Sequence, residues 1–296
     1  MRLLVIQQWL HHKNLQGLKL MLEYIKTNIE TNLFYKFGDQ NNLNSTTWDV
    51  VYSPAITVDT NAYPNTFFIF GPHFSVFPSQ KLNFINNKRR NCVYIQPSEW
   101  ALKIWRDMGA EQIIPLKVMN FPVNVERFKP IMDIKDRNDV FIYYKRRSPD
   151  ELNVLENYLR QIKLPYTIFN YVNKYDENDY INKLLRSKFG IVLDAHESQG
   201  FAIEEALSCD VPLLVWNATT MKQENGSNYP DLAATSIPYW NNKCGEVFYK
   251  WNEFKEKFNA ILKGIKNNKY HPRQFILDEL STKPCAERFF TIINNI

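Results

Sequence analysis

Cysteine is scarce and unpaired in this sequence. Its four copies, Cys92, Cys209, Cys244 and Cys285, stand far apart, with no CxxC pair and no Cys/His cluster. That spacing argues against a zinc site and points to reduced core thiols in a cytoplasmic protein. Long apolar runs are missing too. None approaches the roughly 18 residues of a membrane span, and the apolar start of MRLLVIQQWLHHK is too short and too soon interrupted for a signal peptide. Neither charge sign dominates. A formal net charge of +5 over 296 residues suits a phosphate-bearing ligand, an anionic membrane surface or nucleic acid and selects none of them. The KRR runs at 88–90 and 145–147 add to that hint of nucleic acid. No recognition motif accompanies them, so no nucleic-acid partner is expected. What is plentiful is aromatic: 15% of the chain, 20 of the residues being Phe, most of them expected in the core.

Short apolar strands alternate with helical stretches. Strands are expected at 3–8, 49–52, 66–70 and 92–95, with a helix at 15–29. Another helix follows in PSEWALKIWRDMGA, where Ser98 is the N-cap and Gly109 the stop. The pattern breaks at NFPVNVERFKP, where two prolines bracket an irregular segment. It then restarts. Strands are expected at 140–144, 166–169, 189–193 and 212–216, with helices at 149–162, 176–187 and 200–209. A polar loop at 217–234, a helical region at 246–265 and further helix within 273–293 complete the chain. Such alternation predicts parallel α/β sheets. The expected organisation is two doubly wound, Rossmann-like domains, 1–125 and 126–275, facing a cleft. A C-terminal helix at 276–296 is expected to pack back toward the first domain. Ligands in such sheets bind beyond the carboxyl ends of the strands.

The stretch ESQGFAIEEALSCDVPLLVW leaves the carboxyl end of one expected strand. Gly200 opens a helix whose free backbone N–H groups suit an anion. Glu197 precedes that helix, and Glu205 lies about 1.5 turns into it. A carboxylate accepting two hydrogen bonds from vicinal hydroxyls can hold a ribose or a hexose. Glu204, pointing about 100° away from Glu205, is expected in solvent. Surface acids stabilising a helix dipole fit the same spacing.

The same stretch resembles the donor-site signature of retaining GT-B-fold glycosyltransferases of the large family-four type. Their pattern is Glu, seven residues, Glu, then Ala-Leu or Ala-Met, two small residues, Gly, Val and Pro. Glu197 and Glu205 have that spacing, and Ala206-Leu207-Ser208-Cys209 and Val211-Pro212 continue it. Asp210 stands where Gly is usual. The ESQG start is similar to one subgroup. VYIQPSEWALKIW resembles the family's strand and helix at the end of the first domain, and FPVNVERFKP its interdomain segment. Together these cover roughly residues 90–216. The resemblance implies that Glu205 binds the nucleotide ribose and that Glu197 approaches the donor sugar. It also implies that Ser198, Gln199, Gly200 and Phe201 touch the sugar or the phosphates.

Lys145, Arg146 and Arg147 end the first strand of the second domain, where cations suit a diphosphate. A solvated basic turn is the other reading. Arg146 matches the family's Arg, but the family's Lys falls on Glu151, so either Lys145 or Arg147 replaces that charge or the diphosphate is held less firmly. Tyr171 and Tyr175 are placed to flank the base. In the first domain, FIFGPHFSVFP turns at Gly71-Pro72 and presents His73 as a catalytic candidate; a packed or capping His is the alternative. His196 is a lesser candidate for orienting Glu197. The Gly-Gly loop that many relatives carry after their first strand is missing.

The reading implied is a retaining hexosyltransferase. Its donor is a nucleotide diphosphate sugar, its acceptor a carbohydrate or glycoconjugate hydroxyl. No cofactor or metal is expected, no Asp-x-Asp motif being present, and no enzymatic nucleophile is nominated. Peripheral contact with a membrane is compatible with the charge. Competing readings are another GT-B nucleotide-sugar enzyme, such as an epimerase or a phosphorylase, and a non-catalytic nucleotide-sugar-binding or scaffold module of the same fold.

Overall fold

The structure, a computed structural model, describes residues 1–78, 82, 91–173 and 175–294. The KRR run at 88–90 lies outside the described residues. The chain divides into two compact units: Met1–Pro122 together with Leu280–Ile296, and Val123–Glu279.

The first unit holds β1 (Arg2–Ile6), α1 (His12–Asn28), β2 (Phe34–Gly38), β3 (Val50–Ser53), β4 (Phe67–Phe70), β5 (Cys92–Gln96), α2 (Glu99–Asp107) and β6 (Leu116–Val118). All six strands are parallel, in the order β2-β1-β3-β4-β5-β6. Central strands such as Leu3 to Ile6 are buried on both faces, which is why they read as continuous apolar runs. Ser98 caps α2 through the Ala101 N–H, and Gly109 follows with φ +84°.

The second unit runs β7 (Asp139–Lys145), α3 (Pro149–Gln161), β8 (Thr167–Asn170), α4 (Glu177–Arg186), β9 (Ser187–Asp194), α5 (Phe201–Ser208), β10 (Leu213–Trp216), β11 (Gly245–Phe248), α6 (Phe254–Lys266) and α7 (Pro272–Glu279). The last helix, α8 (Thr282–Asn294), belongs to the first unit, where it packs on α1. The second sheet is also wholly parallel, ordered β11-β10-β9-β7-β8. Its core joins Ile142, Ile191 and Leu214 of the central strands to Phe254, Phe258 and Ile261 of α6. The helical region expected at 246–265 proves to be two elements. Gly245–Phe248 is an edge strand, and the helix begins only at Phe254. GEVF has too few residues for its pairing with Leu213–Trp216 to show in periodicity.

Chain order and strand order reverse between β7 and β9. The chain leaves β7 toward β8 on one side, then returns to β9 on the other. Register places Lys145 directly beside Asp194 at the carboxyl ends of these two strands. In doubly wound sheets that is where a ligand crevice opens.

The four cysteines are free and buried. Among the described residues, no helix is long and apolar enough to cross a membrane.

Candidate functional site

The turn after β9 carries Ala195 to Gly200 into α5. Gly200 has φ +96°, a left-handed backbone that an L side chain adopts only at a cost. It starts α5 without any side-chain cap, whereas Ser148 and Asp176 cap α3 and α4 with their side chains. The first intrahelical bond runs from the Glu204 N–H to the Gly200 carbonyl. The amides ahead of it have no carbonyl of their own helix to meet.

The far end of α5 shows why Asp210 can replace glycine. Asp210 takes φ +60°. Its N–H donates to the Leu207 carbonyl, and the Val211 N–H to that of Ala206, which is the paired Schellman closure of a helix. Its carboxylate also accepts from the Arg273 N–H at 3.0 Å. The turn is that of a glycine, with a side-chain bond added to hold it.

Glu205 is 3% exposed, on the helix that begins at Phe201. Burial pushes the Tyr175 hydroxyl upward, and the Glu205 and Glu197 carboxylates add to the shift. The Tyr175 ring itself packs edge-on against Tyr143 and Phe169. Glu204, expected in solvent, is 1% exposed and accepts from the Gln199 amide at 3.1 Å. The correction has a simple cause: α5 is buried from Ala202 to Ser208, and a helix enclosed all round has no solvent face. Gln199 is buried in that bond, Ser198 is exposed and Phe201 half-buried.

The three cations after β7 have three different fates. Lys145 Nζ lies 2.5 Å from Glu197 Oε1 and 4.7 Å from the Tyr171 ring centroid. Burial alone would lower its pKa, but Glu197 and Asp194 outweigh burial and hold the ammonium above its ordinary value. Arg146, at φ +53°, is half-exposed and donates to Glu224 Oε1 at 3.0 Å. Arg147, expected to face a diphosphate, points inward. It is fully buried, paired with both oxygens of Glu151, and donates to the carbonyls of Asp194 and Trp216. The Glu151 departure is thus explained. It neutralises a buried arginine that ties the ends of β9 and β10 together, and a lysine there would leave that charge uncompensated.

Two acids of the site were not anticipated. Asp194, the last residue of β9, is fully buried; burial, with Glu197 beside it, drives its carboxyl well above the usual range against the pull of Lys145. Glu224, from the polar loop after β10, reaches both Arg146 and His196.

His73 lies in the first unit, beyond β4. Its Nε2 sits 2.9 Å from the Asn14 amide nitrogen, and burial, with His11 nearby, pulls it down to about 4. A neutral ring accepts from Asn14; a protonated one cannot. The folded pKa lies below the unfolded value near 6.5, so the unfolded chain binds the extra proton between those limits. Stability is therefore full above pH 6.5 and declines as pH falls toward 4. Between pH 7 and 5 the expected loss from this group is about 2 kcal/mol. Thermal unfolding of wild type and His73→Gln over that range checks it: the variant should show a flatter dependence.

No protein-family model matches the sequence, and no curated protein is similar to it. Solved structures are. One is the lipopolysaccharide outer core galactosyltransferase WaaB in its apo form, at TM-score 0.58 and 11% identity over 100% of each chain. The N-terminal domain of the Candida albicans trehalose-6-phosphate phosphatase gives 0.59 and 8%, covering 99% of this chain and 96% of that one. Sucrose-phosphate synthase of Thermosynechococcus elongatus gives 0.54 and 10%, covering 84% and 73%. The fold is GT-B-like, as the sequence motifs imply.

Proposed function

We propose that the chain is a retaining glycosyltransferase. It moves a hexosyl group from a nucleotide diphosphate sugar to a hydroxyl of a glycan or glycoconjugate, without a resident metal. One observation carries the reading. At the switch point of the second sheet, the uncapped start of α5 and the half-exposed Arg146 stand at adjoining strand ends, with buried Glu205 on that same helix. Amides and a guanidinium suit a diphosphate; a carboxylate on the same helix suits the ribose diol. Among the similar folds, one is named a galactosyltransferase and one a sucrose-phosphate synthase.

Breaking the anomeric C–O bond builds positive charge on the sugar ring and negative charge on the departing diphosphate. Arg146 and the α5 amides would stabilise the departing charge. Lys145 contributes through Glu197, whose carboxylate it fixes toward the sugar. Ser198, Gly200 and Phe201 line the approach to the helix, and Gln199 is held by Glu204 as a support of that turn. Tyr171 would border the base, with Lys145 over its ring. The acceptor side is assigned to the first unit, where His73 offers a neutral imidazole.

A thermal-shift screen of uridine, guanosine, adenosine and cytidine nucleotide sugars tests the reading. One class should raise the unfolding temperature. Proton NMR of the product formed from that donor should then show the donor's anomeric configuration retained. No stabilisation by any nucleotide sugar would overturn the proposal. Stabilisation without turnover against a panel of sugar acceptors would favour the non-catalytic module.

A further inference from the structure

The loop after β10 folds onto the ends of β7 and β9. Thr220 and Ala233 pair across it as an antiparallel bridge. At its base, Asn217 Oδ1 accepts from the Ser236 N–H at 2.8 Å, and the Glu197 N–H donates to the Thr235 carbonyl at 3.1 Å. From this frame the Asn225 N–H donates to the Arg146 carbonyl at 2.7 Å. Glu224, the preceding residue, is 8% exposed and uses both oxygens. Oε1 accepts from Arg146 Nη1 at 3.0 Å, and Oε2 lies 2.8 Å from His196 Nε2. The His196 ring is in turn edge-on to Tyr229 of the same loop. Adjacent loop residues thus grip one arginine at its backbone and at its side chain.

We propose that Glu224 is a positioning residue for Arg146. It turns the arginine so that the rest of its fork faces a diphosphate, and it makes the 219–235 loop a third wall of the donor site. The assignment rests on the transferase reading above. Its physical basis is that a guanidinium carries five N–H donors in a rigid plane. One is given to Glu224, and the side chain remains 48% exposed, so its outward edge stays open to a ligand. An unheld arginine would lose rotamer freedom when it grips a phosphate. Held by Glu224, it meets that loss during folding instead of on binding. The left-handed backbone of Arg146, fixed by Asn225, orients the side chain in the same way.

Charge argues the other way, and that makes the sign decisive. A carboxylate beside an anion site repels the anion, so a Glu224 that acted only through its charge would weaken binding, and removing it would tighten binding. The probe is inorganic pyrophosphate, with the best nucleoside diphosphate as a second ligand, titrated calorimetrically into the full chain. Glu224→Ala should weaken both ligands by about tenfold, although it removes a negative charge. Glu224→Gln keeps an acceptor for Arg146 and should bind as well as wild type or several-fold tighter. Glu224→Asp, one methylene short of spanning Arg146 and His196, should fall near the alanine variant. With Arg146→Ala in place, Glu224→Ala should cause no further loss. A purely structural Glu224 would instead add its own loss there and would not be rescued by glutamine. Tighter binding by Glu224→Ala, or an undiminished effect without Arg146, overturns the inference. So does a wild type that binds no pyrophosphate. Pyrophosphate binding with this mutant pattern, but no response to any nucleotide sugar, would sink the transferase reading and leave the arginine-positioning role supported.

Discussion

Glu205→Gln is expected to weaken nucleoside diphosphate binding by about 10- to 100-fold, with the unfolding temperature moving only a few degrees. The estimate follows from chemistry. A hydrogen bond to a charged group contributes about 1.5–3 kcal/mol, and each 1.4 kcal/mol is about tenfold. Glutamine keeps the volume of a side chain that is 3% exposed, so packing in α5 survives. What is lost is a charged acceptor able to take both hydroxyls of a ribose. The deoxy comparison is sharper than affinity alone. Wild type should prefer the ribonucleotide to its 2′- and 3′-deoxy forms, and Glu205→Gln should erase most of that preference. Calorimetry with the nucleotide chosen by the thermal screen decides it. Equal affinity for ribo and deoxy forms in the wild type would remove Glu205 from the ribose, wherever the diphosphate binds.

The strands that escape a reading by apolar runs are β2, β6 and β11, and each lies at a sheet edge. Edge strands meet solvent along one side and need no unbroken apolar run. FYKFG of β2 alternates exposed and half-buried residues, and LKV of β6 has only three. Central strands, covered on both faces, announce themselves. The helix starts were legible where side chains cap them, as at Ser98 and Asp176. At α5 it is the missing cap and the left-handed Gly200 that matter, and there glycine itself was the signal.

Site residues divide along the same line. Spacing within one element placed Glu197, Gly200 and Glu205 around a single turn, because a helix and its entry loop fix distance by chain length. Pairings between elements were invisible. Nothing in the KRR run tells which cation turns inward, since Arg147 is drawn there by the carbonyls of two other strands and by Glu151. Glu224 and Asp194 act through partners brought near by sheet order. Glu204 was misjudged because the angle between neighbours on a helix says which way a side chain points, and not whether solvent is found there.

Lys145→Met is expected to cost about 3 kcal/mol of stability, in the range for breaking a buried ion pair. Glu197 is 14% exposed and its partner ammonium equally so; the third group present, Asp194, is a carboxyl that burial drives well above the usual range. Removing the lysine leaves the Glu197 charge with no cation at hand, and Asp194 supplies only repulsion if it ionises. Glu197→Gln strands the ammonium in the same way, and a similar cost is expected. Lys145→Met with Glu197→Gln removes both charges together and should recover most of the summed loss of about 6 kcal/mol. In a unit of this size 3 kcal/mol lowers the unfolding temperature by about 6–12 °C, so each single variant should be plainly less stable and the double variant close to wild type. Additive losses would show that the pair is not coupled. The same three proteins separate stability from chemistry. If Lys145 serves the donor through Glu197, the double variant regains its fold without regaining turnover, because the carboxylate fixed toward the sugar is gone. A double variant with wild-type turnover would remove Glu197 from the reaction and leave the pair as a support of the strand ends.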